Sequence, residues 1–171
     1  MMESLPQGYR ALVLGASGAI GGALVNQLGA DPHCQQVHAL SRQSDPAFDL
    51  LNEDSMAVCA AALAHLRPFH LVIDATGALM VDGRGPEKRL DELNADHLLR
   101  AMQLNAVGPA LLLKHFSPLL ASGERVIWAK LSARVGSIED NRKGGWYGYR
   151  AAKAALNMLL QTAAIEISQI G

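Results

Sequence analysis

Little in this chain invites an electrostatic or metal-based reading. Its formal net charge is -1 over 171 residues, and Lys and Arg are scattered without a run. That excludes the footprint expected for nucleic acid or an anionic membrane surface. Only two cysteines occur, Cys34 and Cys59, and neither belongs to a C-x-x-C. Reduced thiols in a cytoplasmic protein are the expectation. The six histidines, at 33, 38, 65, 70, 97 and 115, show no ligand spacing such as H-E-x-x-H, and no metal is assigned. No segment is long and apolar enough to span a bilayer. Met1-Met2-Glu3-Ser4-Leu5-Pro6 lacks the basic region and apolar stretch of a signal peptide.

What is present suits a packed domain. Hydrophobic residues make up 50% and charged residues 18%, which argues against disorder. The length fits one domain with a substantial core, residues 1–171. Strands are predicted at 9–14, 36–40, 70–74 and 125–132, and helices at 19–29, 52–65, 94–120 and 146–169. Their alternation predicts an α/β fold built on a doubly wound parallel sheet with helices on both faces. Asp31-Pro32 ends the first helix, and Asp45-Pro46 and Arg67-Pro68 mark connections. Residues 78–92 are polar and contain Gly83, Gly85 and Pro86, which reads as a mobile loop near a site. Pro109 falls inside the 94–120 helical pattern and should kink or interrupt it near Asn105. The series Ala151, Ala155, Met158, Leu159 and Thr162 reads as ordinary helix packing.

Ala11-Leu12-Val13-Leu14 reads as a buried strand, followed at once by Gly15-Ala16-Ser17-Gly18-Ala19-Ile20-Gly21. Gly15 permits a tight turn, Gly18 lets a phosphate approach the backbone, and Gly21 lets the next helix pack closely on the strand. The helix from Ala19 and Ile20 onward points free N–H groups and its positive dipole end at a dinucleotide pyrophosphate. Ser17 adds a hydroxyl donor. Such a strand–turn–helix is the start of a Rossmann-type fold.

Tyr149 and Lys153 stand four apart in Tyr149-Arg150-Ala151-Ala152-Lys153, so a helix places phenol and ammonium on one face. A free phenol has a pKa of about 10, and a nearby cation lowers it. The pair suits a general acid that also works as a base in reverse. The alternative is a chance meeting of two side chains on a helix.

Cofactor choice is read after the second strand, where Val37-His38-Ala39-Leu40 leads into Ser41-Arg42. An acidic residue there would bind ribose hydroxyls and select NAD, and none is present. Ser41 leaves room, and Arg42 can pair with a 2′-phosphate, so NADP(H) is expected over NAD(H). The alternative is a solvated surface Arg42.

These motifs resemble the short-chain dehydrogenase/reductase family, and more narrowly its C-factor-like carbonyl reductase branch. The likeness runs through Arg134-Val135-Gly136-Ser137-Ile138 and Tyr149-Arg150-Ala151-Ala152-Lys153-Ala154-Ala155-Leu156-Asn157. Asp74-Ala75-Thr76-Gly77 falls where the family has a turn after its fourth strand, and Asn105-Ala106-Val107-Gly108 where its active-site Asn interrupts a long helix. The resemblance implies an oxidoreductase moving hydride between a nicotinamide cofactor and a carbonyl or alcohol. It assigns Tyr149, Lys153 and Asn105 to catalysis. It places the same three residues in the cofactor site, Lys153 on the cofactor ribose, and adds Asp49, Leu50, Ala75, Thr76 and Gly77, Asp49 being equally readable as a turn or cap residue. Two departures stand out. The glycines at 15, 18 and 21 are spaced as in the extended and atypical branches. The family's active-site Ser position holds Ala133, leaving Ser132 as substitute if the strand ends or bulges there, and Ser137 as a weaker candidate. Trp146 and Tyr147 flank the start of the Tyr149 helix, as an entrance to the site or as packing. The family continues past this helix, whereas the chain stops at Gly171, a residue suited to cap it. The last family elements, with much of the substrate pocket, are therefore expected to be absent. A homodimer or tetramer follows from resemblance alone. The alternative function is a catalytically weak or inactive NAD(P)-binding regulatory or interaction protein on the same fold; an extended-branch epimerase or dehydratase comes third, on the glycine spacing.

Overall fold

Tyr9–Leu14 form β1, and five of its six residues are fully buried. A strand apolar on both faces belongs in the middle of a parallel sheet, and that is its place. In this computed structural model, which describes residues 3–170, β1 is flanked by β2 (Cys34–Leu40) and β3 (Leu71–Asp74), and β4 (Ile127–Lys130) lies beyond β3. All three pairings are parallel. The expectations for Met1, Met2 and Gly171 fall outside the described residues.

The chain leaves β1 through α1 (Ala19–Gly29) to reach β2, then crosses back through α2 (Glu53–Leu63) to reach β3. Right-handed crossovers in opposite directions put α1 and α2 on opposite faces, the doubly wound pattern. The direction reverses between β1 and β3, and ligands of such sheets bind at the carboxyl ends of strands beside that reversal. Leu14 and Asp74 pair there, and Asp74 pairs in turn with Lys130. One core cluster gathers Leu5, Tyr9, Ala11, Val13, Leu28, Leu71 and Ile73. Each fully buried aliphatic side chain contributes about 1.5–3 kcal/mol.

The chain forms two compact units. The first comprises Met1–Thr76 and Lys114–Leu131 and holds the whole sheet. The second comprises Gly77–Leu113 and Ser132–Ile170. It contains α3 (Ala95–Met102) and α5 (Tyr147–Ile170).

The long helix expected over 94–120 is segmented. After α3 comes a π-helical turn, Gln103–Val107, then α4 (Gly108–Phe116) and a short 3-10 turn. Pro109 explains the break. It has no N–H to offer the carbonyl of Asn105 four residues back, and the turn widens so that Gly108 N–H donates to Gln103 O instead. Strand β4 is shorter than expected, ending at Lys130. The packing expectation for α5 needs correction. Met158 is 67% exposed and Leu159 39%, and the buried face is Gly148, Ala152, Lys153 and Leu156. Residues 78–92 are polar, yet Val81 and Glu87 within them are buried.

Candidate functional site

In the first unit the turn after β1 is shaped by the absence of side chains. Gly15 has φ of +84°, and its N–H and that of Ala16 both donate to Leu40 O, at 2.9 and 3.0 Å. A Cβ at Gly21 would lie 2.3 Å from Gly15 O, so α1 could not start so close to the strand with any other residue. A Cβ at Gly18 would meet nothing nearer than 3.5 Å. Its neighbourhood is open, and Ser17, Gly18, Ala19 and Ile20 are all exposed. No side chain caps the N-terminus of α1 at Gly18. The first-turn N–H groups therefore face a space that an anion can fill. This cradle fits the dinucleotide expected from the sequence.

Arg42 follows the end of β2 and is exposed. Among the described residues it forms no ion pair. Ser41 anchors its own turn: its hydroxyl accepts from Gln43 N–H at 3.1 Å, and its carbonyl accepts from Phe48 N–H at 2.9 Å. Asp49 Oδ1 accepts from Leu51 N–H at 3.0 Å, so part of its carboxylate does the turn work. The cap of α2 is Asn52, which accepts from Ser55 N–H. Leu50 is half-buried.

Beside the glycine turn, Asp74, Ala75 and Thr76 are held in place by a group that motif reading passed over. Lys130 Nζ donates to Asp74 Oδ1 at 3.0 Å, to Thr76 O at 2.7 Å and to Thr76 Oγ1 at 3.1 Å. Both charged side chains are about 1% exposed. Burial pushes the Lys130 ammonium below its ordinary pKa, and Asp74 opposes that. The sequence signal was a lysine inside an apolar strand, where a charge must be paired. Thr76 lies against Gly15: a Cβ on that glycine would be 3.1 Å from Thr76 N.

The second unit is shaped by buried polar side chains. Asn105 is fully buried in the π-helical turn. Its amide donates to Ala78 O at 2.9 Å and Ala101 O at 3.2 Å, and its Oδ1 accepts from Ala78 N–H at 3.0 Å. Gly77 has φ of +117°; a Cβ there would sit 2.9 Å from Asn105 Oδ1 and 3.6 Å from Lys153 Nζ. The glycine thus lets Asn105 and Lys153 converge. Lys153 is 4% exposed, and its Nζ lies 5.5 Å from the centroid of the Tyr149 ring. Gly136 keeps the preceding loop tight on α5, since a Cβ there would be 2.9 Å from Lys153 Cβ.

Tyr149 departs from expectation in one respect. Burial pushes its phenol above the ordinary value rather than letting the cation bring it below. Trp146 stacks edge-on against it at 6.2 Å, which favours the packing role for that residue. Tyr147 is 36% exposed. Ser132 lies past the end of β4, so strand alternation does not constrain it. Its hydroxyl is 2.6 Å from Asn157 Oδ1 and donates to it. Asn157 stands eight residues beyond Tyr149, about 12 Å along a helix. Ser137 is exposed and its Oγ accepts from Asp140 N–H at 3.3 Å. Among the described residues, no group of three or more His, Cys, Asp or Glu side chains could hold a metal ion, and no helix is long and apolar enough to cross a membrane.

The first unit carries a strand–glycine turn–helix on a doubly wound sheet, and within the second unit Asn105, Tyr149 and Lys153 gather around Gly77 and the start of α5. Residues 23–171 match the sequence family described as enoyl-(acyl carrier protein) reductase, and the chain belongs to the short-chain dehydrogenase/reductase family. It is 32% identical over 116 residues to 1-hydroxy-2-glutathionyl-2-methyl-3-butene dehydrogenase of Rhodococcus sp., covering 67% of this chain and 48% of that protein. It is 32% identical over 82 residues to C-signal of Myxococcus xanthus, covering 48% of this chain and 49% of the relative. The chain thus spans about half the length of these curated relatives. Among solved structures, carbonyl reductase Sniffer of D. melanogaster superposes with a TM-score of 0.80 at 22% identity, over 94% of this chain and 75% of that one. NADPH-bound carbonyl reductase from chicken fatty liver gives 0.76 at 21% identity, over 97% and 76%. These two likenesses speak for the fold.

Proposed function

We propose that this protein transfers hydride between a nicotinamide cofactor, NADP(H) in preference to NAD(H), and a carbonyl or alcohol substrate. The observation that carries the reading is the convergence of Asn105, Gly77, Lys153 and Tyr149 in the second unit. The cofactor, when bound, supplies the hydride chemistry. Tyr149 holds at Oη the proton that the carbonyl oxygen takes up. Its raised pKa keeps the phenol protonated at neutral pH, which suits an acid in the reductive direction. Lys153 places its charge beside the ring and stabilises the phenolate left behind. Asn105 holds the helix break and the Ala78 backbone. Gly15, Ser17, Gly18, Ala19, Ile20 and Gly21 cradle the pyrophosphate, Ser41 and Arg42 take the 2′-phosphate, and Asp49, Leu50, Ala75, Thr76 and Gly77 line the remainder. Ser132 can polarise a carbonyl only by giving up its bond to Asn157. The same reading places the protein in the cytoplasm as a homo-oligomer. The exposed Leu99, Met158 and Ile165 support self-association.

NADPH oxidation against a panel of aldehydes and ketones tests this. Tyr149→Phe should leave NADPH affinity unchanged and lower turnover by a factor of ~100 or more. Reduction should hold through neutral pH and decline as pH rises through the raised phenol pKa, where the proton is lost. Turnover indifferent to Tyr149→Phe overturns the proposal. A second reading, an NAD(P)-binding regulatory protein, is favoured by Ala133, which offers no hydroxyl. NADPH binding without reduction of any carbonyl would decide for it.

A further inference from the structure

Helix α5 begins without an acidic residue in its first turn, although its N-terminal N–H groups need acceptors. The acceptor comes from far along the chain. Glu87 is 1% exposed, and its Oε2 accepts from Gly148 N–H at 3.0 Å. Its backbone carbonyl accepts from Trp146 N–H. Its other oxygen, Oε1, has no hydrogen-bond partner and lies 3.7 Å from Nε2 of the buried His97. Trp146 is itself unusual, a bulky residue at φ of +56°. That conformation is rare and costs energy, and Glu87 O is what its N–H meets. Gly145 and Gly148 leave room for the contact. A Cβ at Gly145 would lie 3.6 Å from Glu87 O, and one at Gly148 would lie 3.2 Å from Glu87 Oε1.

Two links therefore run from Glu87 to the start of α5, one to Trp146 just before it and one to Gly148 in its first turn, and Tyr149 is the next residue after Gly148. A buried carboxyl group is costly unless it is hydrogen-bonded, and the side-chain bond that Glu87 makes here is to the α5 N-terminus. We infer that Glu87 is a positioning residue for Tyr149: it caps the active helix from the 78–92 loop and fixes where the phenol stands. This rests on the catalytic role proposed for Tyr149.

The claim concerns reach rather than charge, and two variants separate these. Glu87→Asp keeps the carboxyl but shortens the side chain by a methylene, so Oε2 no longer reaches Gly148. Glu87→Gln keeps length and an acceptor oxygen, and its amide can donate to His97. Glu87→Asp should lower kcat by roughly tenfold or more, a part of the roughly hundredfold that misplacing a reacting group by about 1 Å can cost, with NADPH affinity within about twofold of wild type. Amide exchange at Gly148 should accelerate, and the near-UV signal of Trp146, read in a Trp128→Phe background, should change. Glu87→Gln should rescue all three. A folded Glu87→Asp protein with unchanged kcat overturns the inference, as does a Glu87→Gln variant that is as impaired as Glu87→Asp. Should the wild type reduce no carbonyl, the functional proposal fails by itself. The Gly148 exchange and Trp146 signal of Glu87→Asp then decide the positioning claim: if they match wild type, it falls too.

Discussion

The glycine turn and the Tyr149 helix solve opposite problems. The turn works by what is missing: Gly21 has no Cβ to strike Gly15 O, and Gly18 leaves the helix N-terminus uncovered. The Tyr149 region works by what is buried there. Asn105, Lys153 and Glu87 are 0%, 4% and 1% exposed. Each such polar group costs free energy unless it finds partners. The first region should therefore fail when atoms are added, and the second when atoms are removed.

Gly21→Ala is the sharpest break of the first kind. The added Cβ overlaps a backbone oxygen at 2.3 Å, so α1 must shift. The cost should be about 3 kcal/mol, the upper end for an overpacked site, read as a lower urea midpoint. Gly18→Ala should separate binding from folding. Its Cβ meets only an ordinary contact at 3.5 Å, so stability should stay within about 0.5 kcal/mol while NADPH affinity is lost. Equal destabilisation by both substitutions would mean that the turn's shape is not set by the Gly21 approach.

This difference also governs what was legible in the sequence. An absent side chain is visible as Gly, and the turn, β1 and α1 are all readable to within about a residue. A buried charge looks like a surface charge until its partner is known. Glu87 lay unnoticed in a polar loop, and Lys130 in the tail of a strand. Pro109 announces an interruption of the 94–120 helical pattern near Asn105, where the break falls, but Pro109 does not say that a π-helical turn will result. The outward face of α5 was mistaken for a packing face because Met158 and Leu159 are apolar, and hydropathy cannot say which of two apolar stripes is covered. The phenol of Tyr149 rises because it is buried, which spacing on a helix does not reveal.

Arg42→Ala probes the first region from its rim, where nothing is packed. Arg42 is exposed, so stability should not change. Losing a charge-assisted bond to a 2′-phosphate should weaken NADPH by roughly tenfold, about 1.4 kcal/mol, and leave NADH nearly unaffected. Calorimetric titrations showing equal loss for both cofactors would remove Arg42 from the site.

Ser132→Ala should have the smallest effect and tests the second region at its weakest point. The hydroxyl is exposed and donates to Asn157 Oδ1 at 2.6 Å. If that bond persists during turnover, no hydroxyl reaches the substrate, and kcat should change less than about threefold, under about 0.7 kcal/mol. Ala133→Ser then becomes the informative partner, because it restores a hydroxyl where the family keeps one and should raise kcat. A loss of tenfold or more in Ser132→Ala would mean that Ser132 leaves Asn157 to polarise the carbonyl, and that the second region contains a group whose position at rest is not its working position.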